Sequence, residues 1–308
     1  MTDASQQDPA SAPAPGLAHG PVALEPVTVA KPWGSETWYS GIERRGESRV
    51  CLGAKRVPLS AFLARHGRTR SPILLKRLVP SAGHLYLEVH RTKHEVYVVD
   101  RVDPAAWPDG CGELLCGVNP AARAELGDEG LRRAILHAAQ AAERGEARAT
   151  ALDALMRRHR LAVGDCIEVK PCVPHSLRRG VEVIEFQTPV YERLILAASQ
   201  PVQTQNHWDS AAAAEAMHLT PQPPPCPASA ESHQALATTP TFNVTRHLLA
   251  KGAALRLPAW CVGWIVHGGL RAPETTFASR SAFLTPHATT IVAAQNTEVL
   301  VAEEVGTP

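Results

Sequence analysis

The stretch LYLEVHRTKHEVYVV, residues 85–99, decides how this chain is read. Apolar and β-branched residues at its two ends read as short strands, while Glu88, His90, Lys93, His94 and Glu95 crowd the junction between them. A soluble protein keeps such groups at a strand junction only by pairing them, ligating them or leaving them wet. Residues two apart in a strand share a face, so Tyr86, Glu88 and His90 point one way and Leu85, Leu87 and Val89 the other. With the apolar set packed outward on a second layer, Glu88 and His90 look into the interior. A tight turn from Arg91 to His94 returns Glu95 beside them, and Glu-x-His-x4-Glu makes a three-ligand half-site.

A further ligand comes from GDCIEVKPCVPHSL, residues 164–177. Gly164–Asp165 predicts a turn, Ile167 and Val169 begin a strand, and His175 follows a proline that fixes its approach. Two imidazoles and two carboxylates suit one divalent ion, zinc first, with manganese, iron or cobalt if coordination exceeds four. The competing reading makes His90 and His175 core histidines, places Glu95 in an ion pair with Lys93 or Arg91, and has Glu88 orient a ligand histidine. Cys172 reads as a small filler, and His84 and His94 as solvent-facing. In GVEVIEF, residues 180–186, strand alternation turns Glu185 inward, toward the site.

The bulk numbers narrow the partners. The 308 residues are 44% hydrophobic and 20% charged with a formal net charge of +1, enough for one large domain or two modest ones. Near-neutral charge gives no electrostatic footprint for nucleic acid or an anionic membrane. No run approaches the roughly 20 apolar residues of a membrane span. The first residues lack the basic and apolar regions of a signal peptide. Seven scattered cysteines, an odd number, suggest reduced thiols and a cytoplasmic location. Cys111 and Cys116 lack a zinc-pair spacing and read as structural.

Short strands with glycine and proline punctuation argue for an antiparallel sandwich or barrel. Residues 1–25, rich in Ala, Pro and Ser, read as a disordered tail, and 26–205 as the metal-binding domain. A helical insertion is expected at about 119–161, opened by Asn119–Pro120 and carried by Leu131, Ile135, Leu136, Leu152, Leu155 and Met156 at helical spacing. An Ala/Pro-rich linker over 206–240 precedes a second, metal-free β unit at 241–308, where His267 and His287 stand alone.

With these motifs in place the chain resembles the type I mannose-6-phosphate isomerases of the cupin superfamily. G-x4-E-x-H-x4-E from Gly83 and G-x10-H from Gly164 are similar to the two motifs of the cupin metal site. Lys31–Pro32–Trp33–Gly34 resembles that family's KPWGG, Leu74–Leu75–Lys76 and Glu88–Val89–His90 its LLK and QVH, and Lys93–His94–Glu95 its KTE. Glu185–Phe186–Gln187 and Tyr191–Glu192–Arg193 resemble its E-I-Q and TYR. The chain departs from the pattern in four places. Glu88 stands for Gln, the span from His90 to Glu95 is shorter, Cys172 replaces a glycine, and YER replaces YR.

The resemblance implies a mainly β, cupin-type antiparallel barrel (jelly roll) with a helical insertion and a second, smaller cupin-like unit. It implies an isomerase that interconverts mannose 6-phosphate and fructose 6-phosphate, as a monomer or homodimer, with a small sugar phosphate as its partner. Glu88, His90, Glu95 and His175 would hold the metal. Arg193 would stabilise charge or hold phosphate, and Lys93 or Glu185 would be the general base. Lys31, Lys93, Lys170, Arg178, Arg179 and Arg193 are candidates for a phosphate clamp. Another metal-cupin enzyme, an epimerase or oxygenase, or a non-catalytic sugar-phosphate binder would use the same ligands.

Overall fold

The computed structural model describes residues 20–43, 45–146, 150–196 and 207–305. Their strands form a stack of four larger antiparallel sheets and a two-stranded one. The helix Leu59–Arg65 packs into the core beneath an eight-stranded sheet, and the other described helices lie on one outer face. A six-stranded sheet runs in the order Cys166–Val169, Glu95–Val102, Val181–Gln187, Leu74–Val79, Gly34–Trp38 and Val27–Lys31. Facing it is a five-stranded sheet ordered Met156–Leu161, Gly112–Val118, His175–Leu177, Glu88–Val89 and Leu194–Ile195. Leu78, Tyr97, Val99, Val181 and Val183 of the first meet Leu114, Cys116, Leu177 and Ile195 of the second.

The six-stranded sheet is buried on its other face as well. Leu75, Val96, Val98, Ile184 and Phe186 pack there against Val244, Val262, Trp264, Leu284 and Leu300 of an eight-stranded sheet. Burial on both faces explains why SPILLKRLV and GVEVIEF read as near-continuous apolar runs instead of clean alternation. The eight-stranded sheet in turn covers a four-stranded one through Ile265, Phe277, Phe283, Ile291 and Val299. The architecture is thus the mainly β, two-unit antiparallel arrangement expected.

The unit boundaries differ from the expectation in three places. Val22–Glu25, assigned to the tail, is a strand between Ala282–Thr285 and Arg49–Leu52. The eight-stranded sheet therefore mixes N-terminal strands with those of the C-terminal unit, and one apolar core joins both. Residues 1–19 lie outside the described set. Met156–Leu161, assigned to the helical insertion, is a strand paired with Gly112–Val118. Met156 follows Leu152 by one helical turn, but Met156, His159 and Leu161 are buried while Arg158 and Arg160 face water. The presumed linker holds a helix at Ser210–Ala216 and a strand at His233–Thr238.

The insertion itself is the helical segment Pro120–Glu143, broken into two helices by a kink at Gly127 (φ +67, ψ 171), and a short turn at Thr150–Asp153. The Asn119 carboxamide oxygen accepts from the Ala121 N–H at 3.0 Å, with proline at the first helical position. Leu131, Ile135 and Ala139 bury one stripe of the helix on Leu87, Val89 and Leu115, which closes the outer face of the five-stranded sheet. None of the described helices is long and apolar enough to cross a membrane, and all seven cysteines are free thiols.

Ion pairs tie the two units together. The ladder of Glu95–Val102 slips between Val99 and Arg101, and the residue there, Asp100, has a side chain only 1% exposed. Asp100 accepts from Arg77 Nε at 3.2 Å and from both terminal nitrogens of Arg280 at 3.1 and 2.6 Å. Arg280 belongs to the C-terminal unit, so this fork spans the junction. Replacing Arg280 by Ala leaves a buried carboxylate with fewer donors, which costs about 1–3 kcal/mol. Denaturant unfolding of Arg280→Ala should show that loss, and unchanged stability would mean the fork contributes nothing.

Candidate metal centre

The turn at residues 91–94 does not close a hairpin. Glu88–Val89 belongs to the five-stranded sheet and Glu95–Val102 to the six-stranded one, so the chain crosses between the sheets of the sandwich here. Glu88 pairs directly with His175 across neighbouring strands, and both side chains face inward. Leu87 and Val89 lie beneath the helices and Tyr86 in the inner core, as alternation predicts. Leu85 departs from that pattern and lines the cavity wall.

The crossing brings all four expected ligands together. Donor atoms of Glu88, His90 and His175 lie within 4.8 Å of one another. Glu88 Oε1 is 3.6 Å from His90 Nε2 and 3.9 Å from His175 Nε2, and Glu95 Oε2 is 3.2 Å from His175 Nε2. Four ligands set tetrahedrally at zinc distances of about 2.1 Å stand about 3.4 Å apart, and these separations bracket that value. Glu95 also accepts from Tyr97 Oη at 2.8 Å and pairs with Lys93 Nζ at 2.6 Å. Burial and the adjacent Glu95 raise the Tyr97 phenol, which keeps its proton for that bond.

Only His175 is partnered, and on one ring nitrogen. His175 Nδ1 lies 3.0 Å from the Val173 carbonyl, which can only accept, so Nδ1 carries a proton and Nε2 faces the cluster. There burial lowers the imidazole pKa, but Glu95 and Glu88 outweigh burial and raise it. His175 Nε2, both ring nitrogens of His90 and Glu88 Oε2 are buried and make no hydrogen bond. An orphaned buried polar atom costs about 1–3 kcal/mol, so four in one cluster need a common partner. Burial brings His90 down to about 4, so its ring is neutral and free to ligate at neutral pH. Donor types, spacing and orphaned atoms together fit a divalent cation.

Glu88 and Glu95 of the cluster line a cavity of about 410 Å³. Along the inner face of the six-stranded sheet, the register row Leu78–Val183–Val99 is apolar and the next row, Lys76–Glu185–Tyr97, is polar. Sequence reasoning gave Lys76 no role, although a lysine inside SPILLKRLV is the kind of buried charge that needs explaining. Its Nζ donates to Gln187 Oε1 at 2.5 Å and stands 3.3 Å from Glu185 Oε2. Burial opposes the Lys76 charge, but Glu185, Glu36 and Glu95 together raise its pKa above the ordinary lysine value. Glu185 faces inward as expected. Burial is the main force pushing it up to about 8, with Glu95 adding to the rise and Lys76 opposing it.

The cationic candidates divide. Lys31, Lys93 and Arg193 line the cavity, with Lys31 on Glu36 at 3.0 Å and Arg193 Nη1 at 4.0 Å from Glu88 Oε2. Lys170, Arg178 and Arg179 do not belong to it. Lys170 is exposed, Arg178 is buried against Asp153 and Glu113, and Arg179 Nε donates to the Ser81 carbonyl. Arg45, which the sequence did not single out, and Glu192, noted there only as a departure from a motif, are also wall residues. His84 takes the Arg179 N–H and His94 lies 3.6 Å from Glu168, both outside the cavity lining. Cys172 has φ +64, the left-handed region that favours the glycine found there in the family it resembles.

No protein-family model matches this sequence, and no curated protein matches it. Solved structures do. The mannose 6-phosphate isomerase from Bacillus subtilis superposes with a TM-score of 0.70 at 16% identity, over 92% of this chain and 99% of that one. A zinc-bound mannose 6-phosphate isomerase gives 0.69 at 14% identity, over 93% and 100%. A variant of the phosphomannose isomerase from Salmonella typhimurium gives the same values. Over more than nine-tenths of its length, then, the chain has the fold of the mannose-6-phosphate isomerases.

Proposed function

We propose that this protein is a metal-dependent aldose–ketose isomerase of a phosphorylated sugar, with mannose 6-phosphate to fructose 6-phosphate as its reaction. The observation that carries the reading is the cluster of buried imidazole and carboxylate atoms without hydrogen bonds, whose Glu88 and Glu95 line a cavity walled by lysine and arginine. Glu88, His90, Glu95 and His175 would hold the ion, and the zinc-bound structure of the same fold makes zinc the first choice. When bound, the ion supplies Lewis acidity to the sugar's C1 and C2 oxygens.

The remaining work falls to the side chains. Isomerisation moves a proton from C2 to C1, which requires a base within hydrogen-bond reach. Lys93 and Glu185 both line the cavity and are the candidates for that base, with Glu185 Oε2 standing 3.3 Å from Lys76 Nζ. Arg193, beside Glu88, would face the developing negative charge or the phosphate. Lys31 and Arg45 add positive charge to the wall for a dianionic group. Two carboxylates in place of one make the ion's surroundings more negative, which tightens its retention and softens its acidity.

A coupled assay on metal-quantified protein tests the reading. Mannose 6-phosphate should be converted to fructose 6-phosphate, with loss on chelation and recovery on adding zinc or manganese. Stoichiometric metal without turnover would move the protein to another sugar or to a binding role.

His175→Ala should abolish stoichiometric metal by elemental analysis, and metal retained at one per chain would overturn the ligand assignment. Glu185→Gln, Lys93→Ala and Arg193→Ala should keep the metal. The substitution that removes the base should lower kcat about 10²–10⁴-fold. If no single variant lowers kcat, neither candidate is the base.

A further inference from the structure

We propose that Glu192 is a positioning residue of the metal centre, holding the short turn that carries the ligands from one sheet to the other. The inference rests on the metal site proposed above. Only Arg91, Thr92, Lys93 and His94 lie between His90 and Glu95, and Arg91 and Thr92 are exposed. A turn with so little apolar packing depends on hydrogen bonds for its shape.

One carboxylate oxygen supplies the bonds at its centre. Glu192 Oε1 accepts from the Thr92 backbone N–H, from the Thr92 hydroxyl at 2.8 Å and from the Lys93 backbone N–H at 3.0 Å. The two ends of the turn have other anchors. The Cys172 N–H donates to the His90 carbonyl at 2.6 Å, and Thr188 exchanges bonds with His94, its N–H donating at 3.0 Å and its hydroxyl accepting at 3.2 Å. Entry and exit are therefore tied by neighbouring loops, and the centre by Glu192.

The consequence reaches the site from two directions. Lys93 Nζ lies 2.6 Å from Glu95 Oε1, so the placement of the turn sets both a ligand carboxylate and a candidate base. Glu192 also precedes Arg193, whose guanidinium approaches Glu88. The same carboxylate thus links the segment that aims Arg193 to the turn that aims Lys93.

The test compares Glu192→Ala, Glu192→Gln and His175→Ala in the full chain, with zinc affinity measured by competition against a chromophoric chelator. Amide hydrogen exchange at Thr92 and Lys93 is followed alongside. Glu192→Ala should weaken zinc binding about 10–100-fold, the usual effect of removing a group that orients ligands, and speed exchange at both amides. Glu192→Gln keeps a carbonyl oxygen for the same three donors and should restore both toward the parent values. Unchanged affinity in Glu192→Ala would overturn the proposal, and so would a Gln variant as weak as the Ala one. If His175→Ala binds zinc as tightly as the parent, the metal site itself is misassigned and this proposal falls with it.

Discussion

Two buried histidines with unsatisfied nitrogens impose the constraint on which the site depends. His175 is fixed by the Val173 carbonyl so that Nε2 points at Glu88 and Glu95, while neither ring nitrogen of His90 has a hydrogen-bond partner. Such groups are tolerated in a protein interior only when something satisfies them together. A divalent cation would do so at a distance that matches the observed spacing of the donors. The crossing at residues 91–94 serves the same need, since it places Glu95 on one sheet opposite Glu88 and His175 on the other, with His90 just past the end of the Glu88 strand.

The rest of the architecture keeps that crossing rigid. The six-stranded sheet is covered on both faces, and its hidden face packs on the eight-stranded sheet through a single apolar core. Asp100, displaced from the ladder five residues after Glu95, anchors the strand to Arg280 of the other unit. Arg246 adds a second tie, bonding Gln234 and the Gly164 carbonyl and pairing with Glu298 at 3.0 Å. Gly164 has φ +88, and a Cβ there would stand 2.9 Å from Ala228 Cβ, so its turn requires glycine. The second unit thus contributes support to the strands that carry the candidate ligands.

Much of the site was legible because strand periodicity is local. Alternation alone put Glu88 and His90 on one face and Glu185 inward, and the Asn119–Pro120 signal placed the helix start. What stayed hidden depends on partners distant in sequence. Val22–Glu25 looks like part of a tail until Arg49–Leu52 and Ala282–Thr285 close on it. Arg178 looked free to bind phosphate, yet Asp153 and Glu113 claim it across the fold. Lys76 was masked by the apolar residues around it, and its partners Glu185 and Gln187 come from more than 100 residues away. Glu192 gave no periodic signal, because its role is to bind backbone in another loop.

The most direct measurement is a crystal structure of the zinc-loaded protein with diffraction collected on both sides of the zinc absorption edge. One anomalous peak should lie among Glu88, His90, Glu95 and His175, with nitrogen ligands at about 2.0–2.1 Å and oxygen ligands at about 2.0–2.2 Å. A structure with no peak there, and with these four side chains bonded to one another or to water instead, would contradict the account.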